Sequence, residues 1–297
     1  MFSEHRDQFY DAYHDARTRF IREPKILVDL EHWLTDLVCE TISETQDVLK
    51  RDYDEASYLY PFWQNYPPEN RGRSPRGDQI PWIEVGEHAV GANLLKFVGA
   101  KVLVREVGLP SGPDQRFAIT DDRIEEICGF TDSVMLFLDI KSVGPRDDFD
   151  HTVLSPYQVS GDGKWGKKEA GVRNSVVKAI GERASHDFHL ALPPVYVFSD
   201  GTVAPTLSLF IKPRYDMLMK GDICIGQPLM RVTVVSLPNG LLLTENPNYL
   251  RQHPGLFFPG KDDKSKDAKK VRARVSFRIL RGIAPWRVQA IDFIRQH

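Results

Sequence analysis

The chain has 297 residues, is 41% hydrophobic and 27% charged, and carries a formal charge of −2, which suits one elaborated domain with a sizeable core. No apolar run approaches the ~20 residues that span a bilayer, and the opening MFSEHRDQFYDAYHDAR is charged and amphipathic, so neither a membrane partner nor a secretory leader is expected. Cys39, Cys128 and Cys224 are scattered, with neither CxxC nor Cys/His spacing, which argues against a zinc site or a disulfide framework and for a reducing cytoplasm.

The first 55 residues show apolar side chains at helical spacings of three and four, from Phe9, Tyr13 and Phe20 to Leu30, Leu34, Val38 and Ile42. Pro24 suits the first turn of a second helix. PFWQNYPPENRGRSPRGDQIP (61–81) is a Pro- and Gly-rich loop, long enough to suggest a function. WIEVGEHAVGANLLKF (82–97) predicts a helix. KVLVREV (101–107), RFAIT (116–120) and VMLFLDIK (134–141) predict strands, with a helical turn in DDRIEEICGF. An amphipathic stretch near 169–182 precedes a β-rich region. There Asp200-Gly201 and Asn239-Gly240 each lie between apolar runs and signal hairpins. VRARVSFRIL (271–280) alternates Arg272 and Arg274 on one face with Val271, Ala273 and Val275 on the other. With no repeat or linker in the sequence, residues 1–297 are expected to form a single α/β domain.

Charge is polarised along this order. Residues 1–60 hold 14 acidic and 7 basic side chains, whereas residues 261–288 hold 10 Lys/Arg against 3 Asp. A local basic segment can face phosphate whatever the total charge. Lys264, Lys266, Lys269 and Lys270 are equally explained as a solvated loop, but the alternating Arg272 and Arg274 are not.

The chemistry concentrates where VMLFLDIK ends. Side chains two apart on a strand share a face, so Asp139 and Lys141 point the same way at the end of an apolar run. If 116–120 and 134–141 pair antiparallel, the start of the first lies beside the end of the second, and Asp114 of GPD joins them. Two carboxylates and the Ile140 backbone carbonyl form an all-oxygen site suited to Mg²⁺, which serves phosphodiester hydrolysis. Lys141 can hold the attacking water and offset charge on phosphorus. Asp132 is a rival first carboxylate, although seven residues of strand would put it roughly 23 Å from Asp139 at ~3.3 Å per residue. Glu84 and Glu87, near one turn apart on the 82–97 helix, could add a third acid or simply face solvent. PGKDD lacks the spacing of a phosphate-binding P-loop. His186 and His189 have no further ligand nearby, and no GxSxG supports acyl chemistry.

FTDSVMLFLDIKSVGPRDD, PFWQNYPP, GDQIPWIEVGE, LPSGPD, LSPYQVSGDG, SDGTVAP, LFIKP and PGKDD, in order over nearly the whole chain, resemble type II restriction endonucleases of the PD-(D/E)XK superfamily that cut interrupted palindromes. The resemblance implies a restriction-endonuclease-like core, a mixed sheet flanked by helices with additional β-hairpins in the C-terminal half. Residues 1–60 would be a helical region, 100–145 the catalytic strands and 261–280 a DNA-recognition segment. It further implies a homodimer that uses Mg²⁺ to cleave double-stranded DNA at GCCNNNNNGGC, leaving 5′-phosphates, in a prokaryotic cytoplasm. A cognate DNA methyltransferase is expected in the same system, without direct contact. The resemblance favours Asp114 over Asp132 and assigns Asp139 and Lys141 as the other catalytic residues, with Glu87 a possible further metal ligand. Arginine bidentate to guanine and carboxylate accepting from cytosine are the major-groove pairings, so Arg272, Arg274, Lys261, Asp263 and Asp147 are the candidate DNA contacts. Two other classes stand beside this one: a repair or mismatch nuclease on the same fold, and a DNA-binding protein without catalysis.

Overall fold

The apolar spacing of the N-terminal region yields three helices, α1 (Phe2–Arg22), α2 (Pro24–Glu44) and α3 (Gln46–Tyr58), with Pro24 in the first turn of α2. There its missing N–H leaves no hydrogen bond unmade. The computed structural model describes residues 2–58, 83–108, 115–145, 149–162, 175–182, 184–244, 249–260 and 272–293. The 61–81 loop lies outside them. A fourth helix, α4 (Ile83–Val98), precedes β1 (Leu103–Glu106), β2 (Gln115–Thr120), α5 (Asp122–Cys128) and β3 (Ser133–Ile140). The chain continues through β4 (His151–Leu154), β5 (Ser175–Ile180), β6 (Ser185–Leu190), β7 (Val195–Val197), β8 (Val203–Tyr215), β9 (Leu218–Lys220), β10 (Ile223–Gly226) and β11 (Leu229–Leu237). It closes with α6 (Gly240–Thr244), α7 (Tyr249–Gln252), β12 (Phe257–Pro259), β13 (Ala273–Ser276), α8 (Phe277–Ile283) and β14 (Val288–Asp292).

The central sheet runs β1-β2-β3-β8-β11-β14, with β7 also paired to β8. It is mixed: β3 and β8 are parallel, and the other neighbours are antiparallel. A strand covered on both faces has a nearly continuous apolar sequence, and all eight residues of β3 are buried. Leu136, Leu138 and Ile140 pack with Leu207, Leu209 and Ile211 against the helical layer that includes Leu34, Val38 and Val90. On the opposite face Met135 and Phe137 join a small cluster with Leu192 and Ala204. Beside it, Phe210 and Val235 pack on Leu154, Phe257 and Val275 of a three-stranded sheet ordered β12-β13-β4. The expected α/β architecture, a mixed sheet flanked by helices with added β-structure in the C-terminal half, is what the chain forms.

Local expectations fare unevenly. Asp200-Gly201 does turn a hairpin: Val197 pairs with Val203, and Gly201 adopts φ +88°, which an L side chain rarely takes. Asn239-Gly240 does not. The Asn239 side chain accepts from Leu241 N at 2.9 Å at the start of α6, whose leucines Leu241 to Leu243 are buried. A Cβ on Gly240 would lie 2.4 Å from Gly161 Cα, so this glycine serves close backbone approach, not a primed turn. The amphipathic stretch near 169–182 contains β5, which pairs antiparallel with β6. In VRARVSFRIL the strand ends at Ser276, whose side chain accepts from Ile279 N and caps α8. Cys39 and Cys128 are free and buried.

Candidate active site and recognition sheet

β2 and β3 pair antiparallel as expected, with Gln115 opposite Leu138 and Thr120 opposite Ser133. The residue after Asp114 therefore faces the residue before Asp139. Asp114 itself lies outside the described residues. Next to Ile140 in space, α4 comes so near that a Cβ on Gly91 would lie 2.7 Å from Ile140 Cδ1 and 2.5 Å from Gln115 Nε2. Glu87 precedes Gly91 by about one turn of α4; its side chain, like that of Glu84, is outside the described residues.

Asp139 is only 1% exposed although it sits one residue from the end of β3. Taking an ionised carboxylate out of water costs several kcal/mol unless it is paired and hydrogen-bonded. Lys141, about a third exposed, provides the counter-charge, with Nζ 2.8 Å from Oδ2 and 3.1 Å from Oδ1. The Gln158 amide also donates to Oδ1. The main chain beyond β3 is held as well, because Lys141 N donates to Ile211 O at 2.8 Å. Asp139 pairs in register with Phe210 of β8, so it projects from the face of the sheet covered by the β12-β13-β4 layer.

The rival Asp132 is at the other end of β3. Its backbone oxygen accepts from Asp121 N, and its carboxylate accepts from Ser133 Oγ at 2.8 Å. The whole strand separates it from Lys141, which removes it from this site. Among the described residues no three His, Cys, Asp or Glu side chains gather into a metal-holding group. Asp139 and the Ile140 carbonyl are the described members of the expected donor set. Both are hard oxygen donors of the kind Mg²⁺ takes, so what is described fits that ion.

Arg274 lies on β13, the middle strand of the small sheet, between Phe258 of β12 and Val153 of β4. Ala273 and Val275 turn inward to the core while Arg274 is half-buried and Arg272 exposed, so the alternation inferred from sequence is present. Among the described residues, the buried Nε of Arg274 meets no hydrogen-bond acceptor. Gly260 N donates to Arg272 O at 3.0 Å and fixes the backbone where β12 and β13 part. Asp147, Lys261 and Asp263 are outside the described residues.

Two groups at this site were not anticipated from sequence. Gln158 follows β4 and reaches Asp139 across 19 positions; its only sequence signal was the Ser155-Pro-Tyr-Gln158 pattern of a capping box. Lys212 of β8 is 4% exposed, donates to His151 O at the start of β4, and lies 5.2 Å from the centre of the Phe277 ring. A lysine inside LFIKP has no local signal that separates it from an edge residue.

Comparison with known proteins gives a consistent result. The profile of the family described as "Restriction endonuclease BglI" matches residues 8–291. The type II restriction enzyme BglI of Bacillus subtilis is 46% identical over 299 residues, which cover 98% of this chain and 99% of that protein. The crystal structure of the restriction endonuclease BglI bound to its DNA recognition sequence superimposes with a TM-score of 0.90 at 46% identity, covering 99% of this chain and 100% of that one. The tetrameric restriction endonuclease SfiI bound to cognate DNA matches with a TM-score of 0.59 at 13% identity, over 91% of this chain and 85% of its own, a likeness of fold alone.

Proposed function

Because the chain belongs to the BglI restriction endonuclease family, and so is a type II restriction endonuclease, we propose that it hydrolyses double-stranded DNA at the interrupted palindrome GCCNNNNNGGC. It does so as a homodimer, with Mg²⁺, and leaves 5′-phosphates. The observation that carries the reading is the buried Asp139 ion-paired to Lys141 at the end of β3, beside the β2 strand that begins directly after Asp114. The source is a prokaryotic cytoplasm, where a cognate methyltransferase protects the host site without contacting this enzyme.

Asp114, Asp139 and the Ile140 carbonyl hold the cation, with Glu87 as a further ligand. Mg²⁺ supplies polarisation of the phosphoryl group and acidification of a bound water. Lys141 has three N–H donors on a compact charge. One stays on Asp139, and the others orient the attacking water and offset charge on the phosphoryl oxygens. The new bond joins the water oxygen to phosphorus as that water gives up a proton to solvent, and the bond from phosphorus to the 3′ oxygen breaks, that oxygen taking up a proton from solvent.

Arg272 and Arg274 read guanine through O6 and N7, Asp263 and Asp147 accept from cytosine N4, and Lys261 reaches guanine or phosphate. The half-buried Arg274, whose buried Nε meets no hydrogen-bond acceptor among the described residues, supports this assignment. The N-terminal helices support the sheet, residues 100–145 carry catalysis and 261–280 carry recognition, within one domain. Supercoiled plasmid incubated with Mg²⁺, followed by mapping of the ends, tests the whole reading. Discrete fragments cut within GCCNNNNNGGC are expected. Nicks confined to mismatched or modified sites would instead make the protein a repair nuclease, and binding without cleavage would remove the catalytic assignment.

A further inference from the structure

We propose that Gln158 is a positioning residue for the cleavage reaction, holding the Asp139 carboxylate in the orientation in which it works. The inference rests on the assignment of Asp139 to the active site. Gln158 Nε2 donates to Asp139 Oδ1, the oxygen that Lys141 Nζ meets at 3.1 Å, while Lys141 lies nearer to Oδ2 at 2.8 Å. The two donors thus fix the rotation of the carboxylate about its own axis.

The direction of the amide follows from its other contact. Gln158 Oε1 accepts from Ser155 N at 2.7 Å, and in return the Ser155 side chain accepts from the Gln158 backbone, closing a capping box over the turn Pro156–Gln158. An N–H can only face the amide oxygen and a carboxylate can only face the amide nitrogen, so both ends require the same rotamer. The turn itself is anchored on each side. Ala191 N donates to Pro156 O at 2.8 Å, Leu192 N to Val159 O at 3.3 Å, and Gly240 N to Ser160 Oγ at 2.9 Å.

Ser155 directly follows β4, and β4 pairs with β13, where Val153 stands opposite Arg274. A single amide therefore joins the catalytic carboxylate on the central sheet to the layer that carries the candidate base reader. A residue held this way can act on rate without touching substrate, because displacement of a catalytic group by about 1 Å can cost roughly a hundredfold.

The test uses the full-length enzyme on a duplex containing one site. Gln158→Met removes both amide functions at nearly constant size. Gln158→Glu keeps the acceptor for Ser155 N and replaces the donor to Asp139 with a like charge. For both variants single-turnover cleavage should fall by about tenfold or more, and Gln158→Glu should be the slower. The Mg²⁺ concentration for half-maximal rate should rise. Mn²⁺ titrated calorimetrically into the enzyme on a duplex with a non-hydrolysable linkage should bind more weakly. For Gln158→Met, duplex affinity in EDTA and thermal midpoint should stay close to wild type. Cleavage by Gln158→Met within about twofold of wild type at every Mg²⁺ concentration overturns the proposal. So does a rate loss matched by an equal loss of duplex affinity in EDTA, which would mean a purely structural role. Asp139→Asn is run alongside: if it cuts at wild-type rate the active-site assignment itself fails, whereas an inactive Asp139→Asn with a fully active Gln158→Met defeats only the role of Gln158.

Discussion

Asp139 combines near-complete burial with a formal charge, an arrangement that costs stability and is kept where function requires it. Replacing it with Asn removes the charge while keeping the shape, and Lys141 is exposed enough to turn to solvent. Asp139→Asn is therefore expected to abolish cleavage, retain specific binding and leave the thermal midpoint unchanged or higher; a variant that still cuts at near wild-type rate would refute the site. The buried cysteines make a second residue-scale prediction. Burial, helped by Asp36 and Glu40, pushes the Cys39 thiol up to about 12, and burial pushes Cys128 up to about 11. Thiolate is the reactive form, so iodoacetamide at neutral pH should leave both unlabelled in the native enzyme and label both after denaturation, as peptide mapping can show. Labelling of either at native conditions would mean that its surroundings open readily. The charge pair Asp139–Lys141 was readable in the sequence because a two-residue spacing needs only strand geometry to be interpreted.

At the scale of elements, β13 shows how far alternation can be trusted. Arg272 and Arg274 share a face, but the strand stops at Ser276, where a side-chain cap starts α8 and Phe277 and Leu280 enter the core. If the two arginines read guanine, Arg272→Ala or Arg274→Ala should each weaken specific binding by about 1–3 kcal/mol and relax discrimination at one base pair. Competition binding with singly substituted duplexes measures this, and full discrimination in both variants would exclude them as readers. The Asn239-Gly240 segment failed as a hairpin for a reason outside the segment. Asn239 Nδ2 donates to Pro194 O at 2.9 Å and Thr206 O at 2.8 Å, and a buried Asn so engaged fixes α6 against the sheet. Asn239→Ala leaves these buried groups short of partners, and should lower stability by about 2–4 kcal/mol in urea unfolding. A loss near zero would show that water replaces the side chain.

Across the whole molecule, the N-terminal helices and the turn that leads into the C-terminal strand are joined by a buried ion pair. Glu31 of α2 accepts from Arg287 Nη2 at 2.6 Å, and both side chains are 1% exposed. Burial pushes the Glu31 carboxyl above its ordinary range against the pull of Arg287. Removing one partner strands the other charge, so Glu31→Gln should destabilise by about 3–5 kcal/mol, while replacing both residues with apolar ones should cost far less. A double-mutant cycle on unfolding free energies checks both halves, and a loss in the double variant equal to the sum of the two single losses would contradict the coupling. By itself the sequence determined the helical N-terminal region, the apolar β3 and the shared face of Asp139 and Lys141. Each of these depends on periods of two or 3.6 residues set by backbone geometry. Only the tertiary structure decided that β2 pairs with β3, that Asn239 caps a helix, and that Gln158 meets Asp139. Those relations depend on how two sheets and a helical layer pack, and packing brings together residues whose local sequence carries no mark of their partners.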